Sequence, residues 1–173
     1  MDPISMFKMQ IETAHGIVEG TMNGVDEKLC QKLPEGEAHP IGATYAHTVC
    51  GEDFLINMAL RGGKAPLMMG EWAGKTGVSE PPPAPGGDLL AWAKKVQVDL
   101  AQARKYAQAV YANTNEYVGS LSAADLDEEV DIPGFGKHPR AYFLNMIAVI
   151  HPSNHCGEIA AMKGMNGVRG YPF

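Results

Sequence analysis

Apolar residues recur every three or four positions along four long segments of the chain, and this spacing constrains the fold more than any other feature. It is most regular after Asp88, a residue type that favours the N-cap of a helix. The spacing places the apolar side chains on one face of an α-helix, which we predict to run as a single element from Asp88 to about Tyr117. The residues on that face are Leu89, Trp92, Val96, Leu100, Ala103, Ala107 and Val110.

Three other segments show the same period. The first is predicted to be a helix from Phe7 to Leu29, weakened by internal glycines. The second begins at Pro40, a residue type suited to the first turn of a helix, and ends near Arg61 before a pair of glycines. The last runs from about Pro139 to Met165, ends at the glycines that follow, and is apolar nearly all round over residues 142–150. Such a helix belongs at the centre of a core.

The segments between these helices are typical of loops. Residues 74–87, GKTGVSEPPPAPGG, are too rich in proline and glycine for regular structure. Residues 131–139 are also predicted to be a loop, and SAAD at 122–125 is a capping box that begins a short helix. No segment shows the sustained alternation of a strand. We predict one all-α domain over residues 1–173, an up-and-down four-helix bundle with long loops.

Composition excludes several classes of protein. The net charge is −6, and the basic residues form no cluster longer than a pair, which argues against nucleic-acid binding. Three cysteines without a CxxC pattern fit a reducing compartment. The first residues lack the apolar stretch of a secretory signal, and the apolar run at 146–150 is too short to cross a bilayer. We therefore expect a cytoplasmic protein with neither nucleic acid nor a membrane as partner.

The stretch HPSNHCGE, residues 151–158, raises the question of a metal site. His151 and His155 are four residues apart, so in a helix their side chains lie on one face and can reach the same ion. The alternative is two polar residues on a solvated face. The pair follows directly on an apolar run, which favours the edge of the core, where buried imidazoles need partners.

A third histidine, His47, lies midway along the second predicted helix. Its neighbours on that face are small or apolar, so it could be a core histidine bonded to a backbone carbonyl. Together with His151 and His155 it would instead supply three ligands from two helices. Three protein ligands leave a fourth position for water or substrate, as in catalytic metal sites, and bundles commonly hold metals between facing helices.

These residues carry a resemblance to a known family. A histidine is followed five residues later by a carboxylate (His47, Glu52), and an H-x3-H pair is followed by a small, an acidic and an aliphatic residue. The chain then closes on a glycine and a proline five residues apart. In these features it resembles the DinB-like (YfiT-like) superfamily of four-helix-bundle metalloproteins. The resemblance covers most of the chain, although only the histidine triad is specific. The residues after the pair are Gly157, Glu158 and Ile159, and the closing residues are Gly167 and Pro172.

The resemblance implies a function. It implies a divalent metal on His47, His151 and His155, with zinc or nickel preferred to iron, and a homodimer. It also implies a transferase or isomerase that uses a low-molecular-weight thiol, such as bacillithiol, mycothiol or glutathione, on a small electrophilic substrate. A non-catalytic metal-binding or scaffold bundle and a metal-assisted hydrolase remain as alternatives.

Two positions depart from the family pattern. Pro152 follows the first histidine of the pair and cannot donate a backbone hydrogen bond. We expect it to kink the helix with both histidines still on one face; the alternative is a new helix that leaves His151 outside. Glu158 stands where the family commonly has glutamine, and its carboxylate could add charge or a ligand at the metal.

Other residues near the triad have less certain roles. We assign Glu158 as the candidate catalytic residue, orienting an imidazole or acting as a base, and a solvated glutamate is the alternative. Glu52 could act in the same way near His47. Cys50 could approach the ion, but it and Cys156 are more typical of small buried hydrophobes. Surface or loop positions without a role are predicted for His15, His39 and His138, and an interface or ordinary packing for Trp72, Trp92 and residues 170–173.

Overall fold

A computed structural model describes residues 1–173, and it is mostly helical with one small two-stranded sheet. Side-chain caps fix several helix starts, among them Asp88, which accepts from the backbone N–H of Ala91 at 2.9 Å, and the capping box at Ser122. The prediction of an all-α fold is confirmed. The α-helices are α1 Pro3–Thr21, α2 Glu27–Gln31, α3 Ile41–Phe54, α4 Leu89–Lys95, α5 Leu100–Gly119, α6 Ala123–Asp127, α7 Arg140–Asn145 and α8 His151–Met165.

The four long helices form a bundle. Helix α1 packs against α5 and α8, and α3 packs against the same two helices. The order around the bundle is therefore α1, α5, α3, α8. It follows that the seam between α3 and α8 and the seam between α1 and α5 lie on opposite sides of the molecule.

Two of the predicted helices are shorter than their apolar stripes. The first ends at Thr21 instead of Leu29, because Gly24 takes a left-handed conformation with φ of 80° and turns the chain into α2. The third is broken into α4 and α5. Residues 96–99 between them are extended, and Val98 pairs with Val78 in an isolated bridge.

The break before α5 depends on a close contact with the preceding loop. Asp99 donates its backbone N–H to the carbonyl of Gly77 at 2.7 Å and caps α5 with its side chain. A Cβ atom at Gly77 would lie 2.5 Å from the backbone nitrogen of Ala103. Only glycine allows this approach. The contact therefore holds the loop against the first turn of α5 and sets where that helix begins.

Both helices that carry the predicted ligands contain a π-helical segment. Helix α3 begins after Pro40, as predicted, and continues as a π-helix over Leu55–Leu60. Between α7 and α8 the segment Met146–Ile150 is also π-helical, so the last helical stretch spans residues 140–165, close to its predicted limits. π-Segments are rare and frequently lie at functional sites.

The π-segment before α8 accommodates Pro152. The backbone N–H of His151 donates to the carbonyl of Met146, five residues back, instead of four. His151 keeps helical angles, with φ of −57° and ψ of −53°. The distortion expected near Pro152 therefore takes the form of a π-turn, and the alternative that leaves His151 outside the helix is wrong.

The predicted loop at 131–139 contains a β-hairpin. Strands β1 (Glu129–Ile132) and β2 (Gly136–Pro139) pair antiparallel, with Val130 opposite His138. The expectation that the chain has no strand is wrong at this point. The hairpin leads directly into α7, and the ring of His138 stacks on Tyr142 at a centroid distance of 4.2 Å.

Side chains at the other predicted surfaces differ in burial. Trp92 is buried and donates its indole N–H to the carbonyl of Glu80, so of the two alternatives ordinary packing explains it. Trp72 is partly buried against the core, whereas Tyr171 and Phe173 are exposed. None of the helices combines the length and the apolar character that a membrane crossing requires.

Candidate metal centre

The three predicted ligands meet at the seam between α3 and α8. The Nε2 atom of His151 lies 3.1 Å from Nε2 of His47 and 3.0 Å from Nε2 of His155. The ring planes of each pair cross at between 72° and 89°. All three side chains are partly exposed, so the point at which the nitrogens converge can be reached from solvent.

This arrangement fits a metal ion better than it fits a hydrogen-bonded cluster. With zinc–nitrogen distances of about 2.0–2.1 Å, tetrahedral geometry separates two ligand nitrogens by about 3.3–3.4 Å, close to the distances found here. A neutral imidazole Nε2 either donates or accepts, so three of them meeting at one point compete for too few protons. An ion would instead accept a lone pair from each ring.

Glu158 fixes the tautomer of His155. Its Oε2 atom lies 2.8 Å from Nδ1 of that histidine. A carboxylate only accepts, so Nδ1 carries the hydrogen and Nε2 presents its lone pair toward His47 and His151. Metal-ligating histidines are commonly oriented in this way. The Glu158 side chain is 56% exposed, so it lies at the mouth of the site.

Burial keeps two of the ligands, His47 and His151, in the neutral form that metal binding requires. It lowers the pKa of His47 to about 4, with further contributions from the charges of His155 and His39. Burial and the two neighbouring histidines lower the pKa of His151 to about 3. The Nδ1 atom of His47 is buried and has no hydrogen-bond partner. His39, predicted to be a loop residue without a role, therefore lies near enough to influence the site.

Glu52 does not support His47, and this prediction is wrong. Its carboxylate is buried on another face of α3, where it accepts from Thr114 Oγ1 at 2.6 Å and faces His15 Nε2 at 2.9 Å. His15 is itself buried, with 5% of its surface exposed, so the prediction of a surface position is also wrong. The two residues form a separate polar pair inside the bundle.

The cysteines near the triad are packing residues. Cys50 and Cys156 are buried and belong to the hydrophobic core. Burial, with the charge of Asp53, raises the pKa of the Cys50 thiol to about 12, and burial also raises that of Cys156. Neither sulfur joins the group of converging histidine nitrogens. The site therefore offers three imidazoles, one bordering carboxylate and an open side.

Comparison with known proteins agrees with this geometry. A sequence model described as the DinB superfamily matches residues 10–159, a range that includes the triad and Glu158. The fold is similar to the crystal structure of the conserved protein of locus from Enterococcus faecalis, with a TM-score of 0.79 and 20% identity. That similarity covers 94% of this chain and 96% of the other. A comparison with curated proteins found no match.

Proposed function

Because the chain belongs to the DinB superfamily, we propose that His47, His151 and His155 hold one divalent metal ion in an open site that serves a thiol transferase or isomerase. The substrate would be a small electrophile. The observation that carries this proposal is the convergence of three Nε2 atoms from two facing helices. Imidazole ligands suit zinc and nickel, with iron as the third choice.

The metal would supply one chemical effect. A divalent ion held by three neutral ligands keeps its full charge, and it would lower the pKa of a coordinated thiol so that the thiolate becomes the nucleophile. Glu158 keeps His155 in the ligating tautomer through Oε2. Its other oxygen is free at the mouth of the site and could accept the proton that the thiol releases.

Exposed apolar side chains on the ligand helices support an apolar substrate and a homodimer. Phe54 follows His47 by two helical turns, and Ile150 directly precedes His151. Both are exposed, as are Met58 and Met146 in the two π-segments. A substrate could use the part near the triad, and a second copy of the chain the remainder. Light scattering coupled to gel filtration would test the dimer, and a monomer at all concentrations would contradict it.

The alternatives use the same ligands. A non-catalytic metal-binding or scaffold bundle would hold the ion without reacting with thiols, and a metal-assisted hydrolase would activate water in place of a thiol. The position of Glu158 favours chemistry that needs a proton acceptor. It does not by itself separate a thiol from water as the nucleophile.

Metal content tests the site itself. The protein should be purified without a nickel column, reconstituted with zinc, nickel or iron, and measured by mass spectrometry. We expect about one ion per chain in the wild type, with loss in His47→Ala, His151→Ala and His155→Ala. His138→Ala is the matched control, because that histidine lies in the hairpin and stacks on Tyr142. No metal in the reconstituted wild type would refute the proposal.

Thiol binding tests the reaction class. In cobalt-substituted protein a coordinated thiolate should change the visible spectrum when bacillithiol, mycothiol or glutathione is added. A saturable change in the wild type, lost in His151→Ala, would support the transferase or isomerase. A metal-loaded protein whose spectrum no thiol changes would favour the hydrolase or the non-catalytic bundle.

A further inference from the structure

A second polar pocket lies between α1 and α5, across the bundle from the triad. Its volume is about 330 Å³, and only one of its seven lining residues is hydrophobic. Helix α1 contributes Glu12, His15, Gly16 and Glu19, which recur at the spacing of one helical face. The volume lies at the small end of the range of about 300–1,000 Å³ for ligand pockets.

One nitrogen of the His15 ring is a polar atom of this pocket that lacks a partner. Its ring is held on one side by Tyr111, stacked at a centroid distance of 3.8 Å and an interplanar angle of 19°. Its Nε2 atom bonds to Glu52, whose other oxygen already accepts from Thr114. Its Nδ1 atom is buried without any hydrogen-bond partner. A buried polar atom left unpaired in this way is costly, so it marks where a ligand would be stabilised.

The pair with Glu52 determines what Nδ1 offers. A carboxylate accepts, so when the ring is neutral Nε2 of His15 carries the hydrogen that faces Glu52 and Nδ1 presents a lone pair. The Oδ1 atom of Asn115, which also lines the pocket, is likewise buried and unpaired. Both unpaired atoms are thus acceptors, and a ligand that fits them must donate hydrogen bonds.

The charges around the pocket select a cation. Glu12 and Glu19 line it, and the carboxylate of Glu52 lies directly behind His15. The basic partner is Arg104, whose Nε atom lies 3.4 Å from Glu19 Oε2. Three carboxylates against one guanidinium leave negative potential at the pocket.

From these observations we propose that the pocket between α1 and α5 binds a small organic ammonium ion, whose N–H groups donate to His15 Nδ1 and Asn115 Oδ1. A bare metal ion fits less well. In the triad the ligand atoms all lie within 4.8 Å of one another, close enough to share one ion. His15 and the acidic residues of this pocket form no group that is so close. A molecule with several donor hydrogens can span acceptors that are too far apart for one ion.

Gly16 allows a test that leaves the core unchanged. A Cβ atom at Gly16 would meet no other atom within 4 Å, so a larger side chain can begin there, and Gly16 lines the pocket that a leucine is intended to fill. The substitution also removes a glycine from a helix interior, which favours folding. Gly164 in α8 has equally open surroundings. Gly164→Leu is therefore the matched control.

The probe is ethanolamine hydrochloride, titrated into ¹⁵N-labelled full-length protein with sodium chloride and sodium acetate as controls. We expect saturable shifts of the backbone amides of residues 12–19 and 108–115, which persist in Gly164→Leu and disappear in Gly16→Leu. His15→Gln retains a donor for Glu52 but replaces the imidazole Nδ1 with an amide oxygen in a different position. It should weaken binding about tenfold to a hundredfold, the value of a hydrogen bond from a charged donor.

Three results would overturn the proposal. The first is the absence of saturable shifts with ethanolamine in the wild type. The second is binding that survives Gly16→Leu, which would place the ligand elsewhere. The third is a high-resolution crystal structure, grown with the probe, in which a single water satisfies both acceptors. The triad variants should bind the probe like the wild type, so the outcome is independent of the metal site.

Discussion

Replacing Asp53 should be among the most destabilising single changes in this protein. Asp53 is fully buried in α3, directly after Glu52, and its carboxylate accepts four hydrogen bonds. Tyr106 Oη donates to Oδ2 at 2.6 Å, and the backbone N–H groups of Leu67 and Met68 donate at 2.9 Å. The fourth donor is Asn57 Nδ2 at 2.8 Å. One carboxylate therefore ties the long segment after the π-helix to α3 and α5.

The magnitude follows from what Asp53→Ala leaves behind. Each hydrogen bond to a charged acceptor contributes about 1.5–3 kcal/mol. The four do not add, because water and small movements satisfy some of the donors. Breaking a buried charged network typically costs about 3–5 kcal/mol, and we expect a loss of about 4 kcal/mol in the free energy of unfolding. For a chain of this length that lowers Tm by about 8–16 °C.

The assay is urea denaturation of Asp53→Ala beside Tyr106→Phe. The second variant removes one of the four donors and should cost only about 1–2 kcal/mol. Hydrogen exchange gives a local readout: the amides of Leu67 and Met68 should be protected in the wild type and exchange freely in Asp53→Ala. If Asp53→Ala were no less stable than Tyr106→Phe, or if both amides stayed protected, the role assigned to the carboxylate would be wrong.

Three further predictions concern other polar side chains. Glu158→Ala should weaken zinc binding about 10–100-fold, because His155 loses the partner that orients it; competition with a chromophoric chelator measures this, and unchanged affinity would contradict it. The metal-free protein should lose stability as pH falls below about 6.5, the pKa of a histidine in the unfolded chain. In the folded protein the pKa is lowered to about 4 for His47 and about 3 for His151. Between these values the unfolded chain binds more protons than the folded one, so acid favours unfolding. Urea denaturation at several pH values across this range measures the effect. The free energy of unfolding should depend less steeply on pH in His151→Ala than in the wild type. Lys163→Met should cost about 1–3 kcal/mol, because a buried ammonium that donates to three backbone carbonyls is lost, and an unchanged Tm would argue against this.

The bundle and the shared face of His151 and His155 follow from local periodicity, whereas the family resemblance added His47, because no local pattern shows which helices face each other. The same periodicity could have shown that His15 is buried and not at the surface. His15 lies four residues after Ile11 and three before Val18, so it falls on the buried face of α1. Its residue type suggested the surface, whereas its position on the helix indicated the core.

Helical geometry also explains the error at Glu52. Five residues at about 100° each turn the helix by about 500°, which is about 140° away from His47. The two side chains therefore point to different neighbours: His47 to α8, and Glu52 to α1 and α5. A carboxylate four residues from the histidine would have shared its face.

Other features depend on partners distant in the sequence. The break before α5 requires the approach of Gly77 to Asp99, and the apolar stripe runs through it without interruption. The π-segments leave no simple mark in the sequence, although Pro152 indicated where one of them lies. The hairpin is too short for its alternation to stand out from a loop.

Helix α3 connects these observations, because it is buried on nearly every side and yet carries three kinds of polar side chain. Glu52 and Asp53 find acceptable partners within the chain, the first in His15 and Thr114, the second in the segment at residues 67–68. One of the buried atoms without a partner is His15 Nδ1, which lies beyond Glu52 on the seam opposite the triad. A buried polar atom without a partner is unfavourable for stability alone. The three converging Nε2 atoms at one seam and the unpaired His15 Nδ1 at the other are therefore the physical reasons to look for a ligand at each.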